Sequence, residues 1–70
     1  MIELTKAREA AGWTRFKLGA EARIHPARVG QIESEKTVPY PVELERLAGA
    51  LEWQDEPEAL LERVDVDGTR

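Results

Sequence analysis

No cysteine occurs in the chain, so neither a disulfide nor a thiolate metal site can hold it together. His25 is the sole histidine and lacks a second imidazole to complete a ligand set, so no metal and no cofactor are expected. Ser34 is the sole serine, and neither a glycine-rich phosphate loop nor a paired metal-ligand motif occurs, which leaves catalysis almost nothing to stand on. No apolar run approaches the ~18 residues that crossing a bilayer requires. Met1 to Ala11 alternate charged and apolar residues, without the basic start and long apolar stretch of a signal peptide. The simplest expectation is a cytoplasmic protein that is neither an enzyme nor membrane-bound. Seventy residues make one small domain with a core of marginal area.

Charge is present but unevenly placed. The net charge of −4 argues at first against a nucleic-acid partner, yet residues 13–32 hold Arg15, Lys17, Arg23 and Arg28 against Glu21 alone. Residues 33–67 reverse the balance, with eleven acids against three bases. A small acidic protein with one basic segment suits a DNA reader of which only one face meets phosphate. Local fluctuation of charge gives the same pattern without any function.

Alanine, leucine, glutamate and arginine dominate, and strand-like alternation appears only at Val64-Asp65-Val66-Asp67, so an all-α fold is expected. Five helices are predicted. The first covers about Ile2 to Ala11 and stops at Gly12, which accepts a left-handed cap without steric cost. Thr14 caps the second, about Arg15 to Ala22, with Trp13 and Leu18 spaced as a hydrophobic staple. Pro26 and Pro41 suit the first positions of the third and fourth, about Pro26 to Glu33 and Pro41 to Leu51. Asp55 and Glu58 form an acidic version of a capping box for a fifth, about Glu56 to Val64. The segment Ser34 to Tyr40 is a loop, and residues 65–70 are expected to be a frayed tail to a domain spanning 1–64. Helix, glycine stop, fresh start, tight turn and second short helix are the layout of a helix-turn-helix.

Within that layout the local helix rules are obeyed in some helices and broken in others. Glu43 in the fourth helix and Glu56 and Glu58 in the fifth occupy first turns, where the helix dipole favours acids. Arg15 and Lys17 occupy the first turn of the second helix and Arg28 that of the third, where each cation costs about 0.3–1 kcal/mol. A bound phosphate offsets that cost, because free N–H groups and positive side chains then converge on one anion. The alternative is that long basic side chains point into water. In the third helix, Val29, Ile32 and Glu33 share one side, while Ala27, Arg28, Gly30 and Gln31 fill the other. Small residues for close approach, an amide that matches adenine and a guanidinium that matches guanine suit a major groove. A solvated face with an unoptimised glycine has the same composition.

Taken jointly, Arg8-Glu9-Ala10-Ala11-Gly12-Trp13-Thr14, Leu18, Ala22, Ile24, Val29, Ile32-Glu33, Pro39 and Leu47-Ala48-Gly49-Ala50-Leu51 resemble the Cro and phage-repressor (XRE-type) helix-turn-helix family. The resemblance runs without gaps from Arg8 to Leu51 and implies the five-helix lambda-repressor-like fold. It implies that the second helix crosses the DNA backbone and the third enters the major groove. Carried over by position, Thr14, Arg15 and Lys17 lie at the backbone, with Arg15 on phosphate, and Ala27, Arg28 and Gln31 face base edges. Ser34, Lys36 and Thr37 lie in the loop that meets the backbone. His25 takes the cap position of the third helix, either touching phosphate or serving as an ordinary cap. Arg8 and Glu33 match the family's partly buried salt bridge between the first and third helices.

Several positions depart from the family pattern. Arg15 stands where glutamine is common, and Pro26 replaces a residue that often reads a base. Arg23 stands where glycine usually makes the turn and Glu35 where glycine usually follows the third helix, in left-handed geometry that non-glycine residues adopt under strain. Trp13, Phe16, Tyr40 and Trp53 are mostly expected in the core or staple. Trp53, Leu60, Leu61 and Val64 are the candidate contact for a homodimer engaging two half-sites, and Val64 to Val66 are a candidate strand between subunits. The expected function is that of a sequence-specific, double-stranded DNA-binding transcriptional repressor. Two rivals stand beside it. One is an antitoxin-like regulator whose acidic C-terminal half, Glu43 to Val66, holds a protein partner. The other is a protein-interaction module that keeps the fold without binding DNA.

Overall fold

A computed structural model of the chain describes residues 1–64. Four α-helices succeed one another, α1 (Glu3–Ala10), α2 (Arg15–Ala22), α3 (Pro26–Glu33) and α4 (Pro41–Leu51), followed by a 3₁₀ helix (Pro57–Leu61). The architecture is all-helical. The ranges of α2, α3 and α4 coincide with those that capping and periodicity predict, and α1 is one residue shorter at each end.

Local chemistry accounts for the helix ends. The Thr14 hydroxyl accepts from the Lys17 N–H at 3.0 Å and starts α2. The His25 Nδ1 accepts from the Ala27 N–H at 3.0 Å and starts α3, with Pro26 at its first position. Glu43 reaches back from the first turn of α4 to accept from the Tyr40 N–H at 2.8 Å. Gly12 takes φ +75° after α1. Arg23, Glu35 and Glu52 take φ of 62°, 64° and 54° where no glycine is available. Arg23 ends α2 in this conformation and turns the chain directly into α3.

The turn between α2 and α3 depends on Gly19. A Cβ there would collide with the Ile24 carbonyl oxygen and lie 3.3 Å from the Pro26 nitrogen. The Ile24 N–H donates to the Gly19 carbonyl at 2.9 Å, so backbone meets backbone with no room for a side chain. α2 packs against both α3 and α4, while the 3₁₀ helix closes the other end against α4 and α1. The core they enclose comprises Ile2, Leu4, Leu18, Ala22, Ile24, Val29, Ile32, Leu44, Leu47, Ala48 and Leu60.

The fifth element differs from expectation. Residue Glu56 is extended (ψ 143°), as a residue before proline prefers, and the helix starts only at Pro57. Asp55 accepts from the Glu56 N–H at 3.0 Å, but no Asp55–Glu58 capping box forms. The helix ends at Leu61 because the next residues are drawn into an extended pairing: Ile2 and Arg63 form an antiparallel bridge. The Glu3 N–H donates to the Glu62 carbonyl at 2.8 Å and the Val64 N–H to the Met1 carbonyl at 2.9 Å. Glu3 opens α1, so its N–H has no partner within the helix and the returning strand supplies one. Val64 thus pairs with the start of its own chain, and Val66 and the expected tail at 65–70 lie outside the described residues.

Leu60 is fully buried in the core, and Leu61 and Trp53 pack against it. The Trp53 Nε1–H donates to the Glu56 carbonyl at 2.9 Å. Of the candidate dimer contact, Leu60 is thus taken up by the core of the monomer, while Trp53 and Leu61 are only partly buried against it. Phe16 and Tyr40 are the opposite case. They are 74% and 67% exposed and belong to neither core nor staple.

Candidate nucleic-acid interface

Glu33 is a buried charge at the end of α3, its side chain only 1% exposed. It accepts from Arg8 Nε at 2.7 Å, from Arg8 Nη2 at 3.3 Å and from Arg15 Nε at 3.0 Å. Arg8 also donates from Nη1 to the Trp13 carbonyl at 2.7 Å, so one guanidinium ties α1, the α1–α2 link and the end of α3 together. A lone carboxylate at this depth is costly, and two guanidiniums with three hydrogen bonds offset that cost. The triad carries one net positive charge, and its exposed member is Arg15.

Arg15 starts on α2 but crosses α3. Its Cδ and Nη1 lie 3.8 Å from the point a Cβ on Gly30 would occupy, so the side chain runs over the bare backbone of Gly30 toward Glu33. Gly30 is thus where a neighbouring arginine passes close, a role that its position on the outer face of α3 leaves open to ligand or protein. Arg15, Pro26, Ala27, Gly30, Gln31, Ser34 and Lys36 line one shallow concavity. Two cations stand there, and no carboxylate is among the lining residues.

The remaining expected site residues fall into separate groups. Thr14 and His25 are helix caps, each accepting from a backbone N–H of the helix it starts. Lys17 pairs with Glu21 at 3.0 Å and lies 5.7 Å from the Trp13 ring centroid. Arg28, expected at base edges, is engaged on α4: Nε and Nη2 donate to the two Glu43 oxygens at 3.0 and 2.8 Å, and Nη1 donates to the Thr37 hydroxyl at 3.2 Å. Its guanidinium also lies 5.6 Å from the Tyr40 ring centroid. The hydrogen bond from Arg28, reinforced by the Tyr40 N–H, holds the Glu43 carboxyl below the usual carboxylate range against its partial desolvation, and the same bond to Glu43 raises Arg28. Thr37 is consumed in that brace, whereas Ser34 and Lys36 remain at the concavity.

Sequence reasoning did not find the Arg28–Glu43 brace or the need for Gly19. Glu43 was visible as an acid placed for the helix dipole, but its partner lies fifteen residues away. For Gly19 the signal was a glycine inside a helix with neither turn nor cap to explain it.

The chain matches no family model, no curated protein and no solved structure. Its functional reading rests on the arrangement of these side chains.

Proposed function

We propose that this chain is a sequence-specific double-stranded DNA-binding regulator, a small repressor of the phage or mobile-element type with the lambda-repressor-like arrangement of helices. It acts as a homodimer in the cytoplasm and lays α3 in the major groove. One observation carries the reading: the outward face of α3, with the small Ala27 and Gly30 and the amide of Gln31, shares an acid-free concavity with Arg15 and Lys36. Small side chains admit close approach, the amide offers donor and acceptor to a base edge, and Lys36 at the rim meets a flanking phosphate. Neither α2 nor α3 carries an acid in its first turn, so the positive end of each helix dipole adds to the same field.

A protein-binding role has its own support. Val38, Tyr40 and Val42 are exposed in the acid-rich half of the chain. An antitoxin-like regulator would present this apolar segment to a protein partner while α3 holds DNA. Co-purification of a second chain at fixed stoichiometry supports that reading.

The test is binding to a pool of random duplexes across a salt series. A repressor loses affinity steeply with salt and enriches a palindrome whose half-sites lie about 34 Å apart. Absence of binding at low salt rejects DNA as the partner.

A further inference from the structure

We infer that Arg15, and not Arg28, is the side chain that reads guanine; the inference rests on the DNA-binding reading above and assigns its specificity. Base recognition of guanine in the major groove takes two parallel N–H donors aimed at O6 and N7. Arg15, Arg23 and Arg28 of the α2–α3 unit all carry such a fork; Arg23 ends α2 and does not line the concavity, and the structure disposes of the other two differently.

All three nitrogens of Arg28 are committed: Nε and Nη2 to Glu43 and Nη1 to Thr37. Its side chain is 27% exposed, and withdrawing it would leave the Glu43 carboxylate, 15% exposed, without its cation. Arg28 is thereby a positioning residue that fixes the start of α3 against α4.

Arg15 is held by one atom. Its Nε bonds to Glu33, and among the described residues Nη1 and Nη2 donate to nothing. The end-on fork of the guanidinium is thus unused, in a side chain 54% exposed that lines the same concavity as Ala27 and Gln31. The buried carboxylate restrains the fork before any ligand arrives, which lowers the conformational entropy lost on binding. Arg15 lies across α3 beside Gly30, its Cδ and Nη1 3.8 Å from where a Cβ there would stand. An arginine rooted in α2 is brought over the recognition helix to where a base edge would stand. A lysine in its place would keep the charge and lose the fork.

The experiment compares wild type with Arg15→Lys in selection from random duplexes, followed by competition between the enriched duplex and its single-base variants. Wild type is expected to enrich a guanine at one half-site position. Arg15→Lys is expected to lose discrimination there by about tenfold or more, beyond any change in its affinity for non-specific duplex. An equal loss for every duplex with the same enriched sequence makes Arg15 a phosphate contact and overturns the assignment, as does the absence of an enriched guanine. If Arg15→Lys fails to fold, wild type is titrated with its enriched duplex carrying 7-deazaguanine at that position. Loss of the N7 acceptor should weaken binding several-fold, and unchanged affinity rejects the contact. Wild type that binds no duplex at all fails the DNA reading itself, a result distinct from binding without a guanine contact.

Discussion

Glu43 receives both arms of Arg28 and accepts from the Tyr40 N–H, so a single carboxylate joins α3, the loop and α4. Its folded-state acidity is shifted downward, chiefly by the hydrogen bond from Arg28. A depressed carboxyl contributes stability that is fully present above its unfolded pKa and is lost as pH falls through the folded one. Stability should therefore decline as pH drops below an ordinary glutamate value of about 4.5, and Glu43→Gln should remove part of that decline. Urea midpoints of both proteins between neutral pH and pH 3 check this; parallel pH profiles would show that Arg28 and Glu43 are not coupled in solution. Local sequence rules identified Glu43 as a dipole-compatible acid and Arg28 as a dipole-violating base. That the two answer each other depends on the loop bringing α4 beside α3, which no spacing rule contains.

The α2–α3 unit is an element whose two most constrained positions carry the opposite residues from those a simple rule would assign. Gly19 lies inside a helix, where glycine costs about 1 kcal/mol relative to alanine, yet a methyl group there has no space. Arg23 lies at a left-handed cap where glycine is favoured. Gly19→Ala should cost about 1–3 kcal/mol through displaced backbone, despite the gain in helix propensity. Arg23→Gly should stabilise by about 0.5–1 kcal/mol, relieved backbone strain outweighing the greater freedom of the unfolded chain. Chemical denaturation of the two variants measures both signs, and a stabilising Gly19→Ala would mean that α2 and α3 stand further apart than described. The left-handed positions of Arg23 and Glu35 were legible by comparison with a family that places glycine there. The demand on Gly19 was not, because the atom it must avoid belongs to the following turn.

Across the whole molecule, the extended residues 62–64 lie along 1–3 and place Ile2 fully inside the core with Leu4 and Leu60. Hydrogen bonds at Glu3 and Val64 clasp the two ends of the described segment. If this clasp belongs to the cooperative fold, the amides of Glu3 and Val64 should exchange with solvent orders of magnitude more slowly than unstructured amides. Hydrogen exchange followed residue by residue decides it, and free exchange at both sites alongside protected α4 amides would show that the clasp opens independently. The clasp replaces the last turn expected of a fifth helix. Helical periodicity in residues 56–64 reported which side chains are apolar, but the orphan N–H at the start of α1 determined the backbone they adopt.

The sequence by itself determined the all-helical class, the limits of α2, α3 and α4, and the cap at Thr14. Each of these is settled by interactions within about one helical turn, so residue order is sufficient to reveal it. Only the tertiary structure decided how the cations are used. Arg8 and Arg15 share Glu33 across 25 and 18 residues, Arg28 is taken by Glu43 across 15, and the fork of Arg15 is left at the surface of α3. Which fork is free depends on how many nitrogens a carboxylate engages, Nε alone in Arg15 but Nε and Nη2 in Arg28, and that is set by how the helices pack.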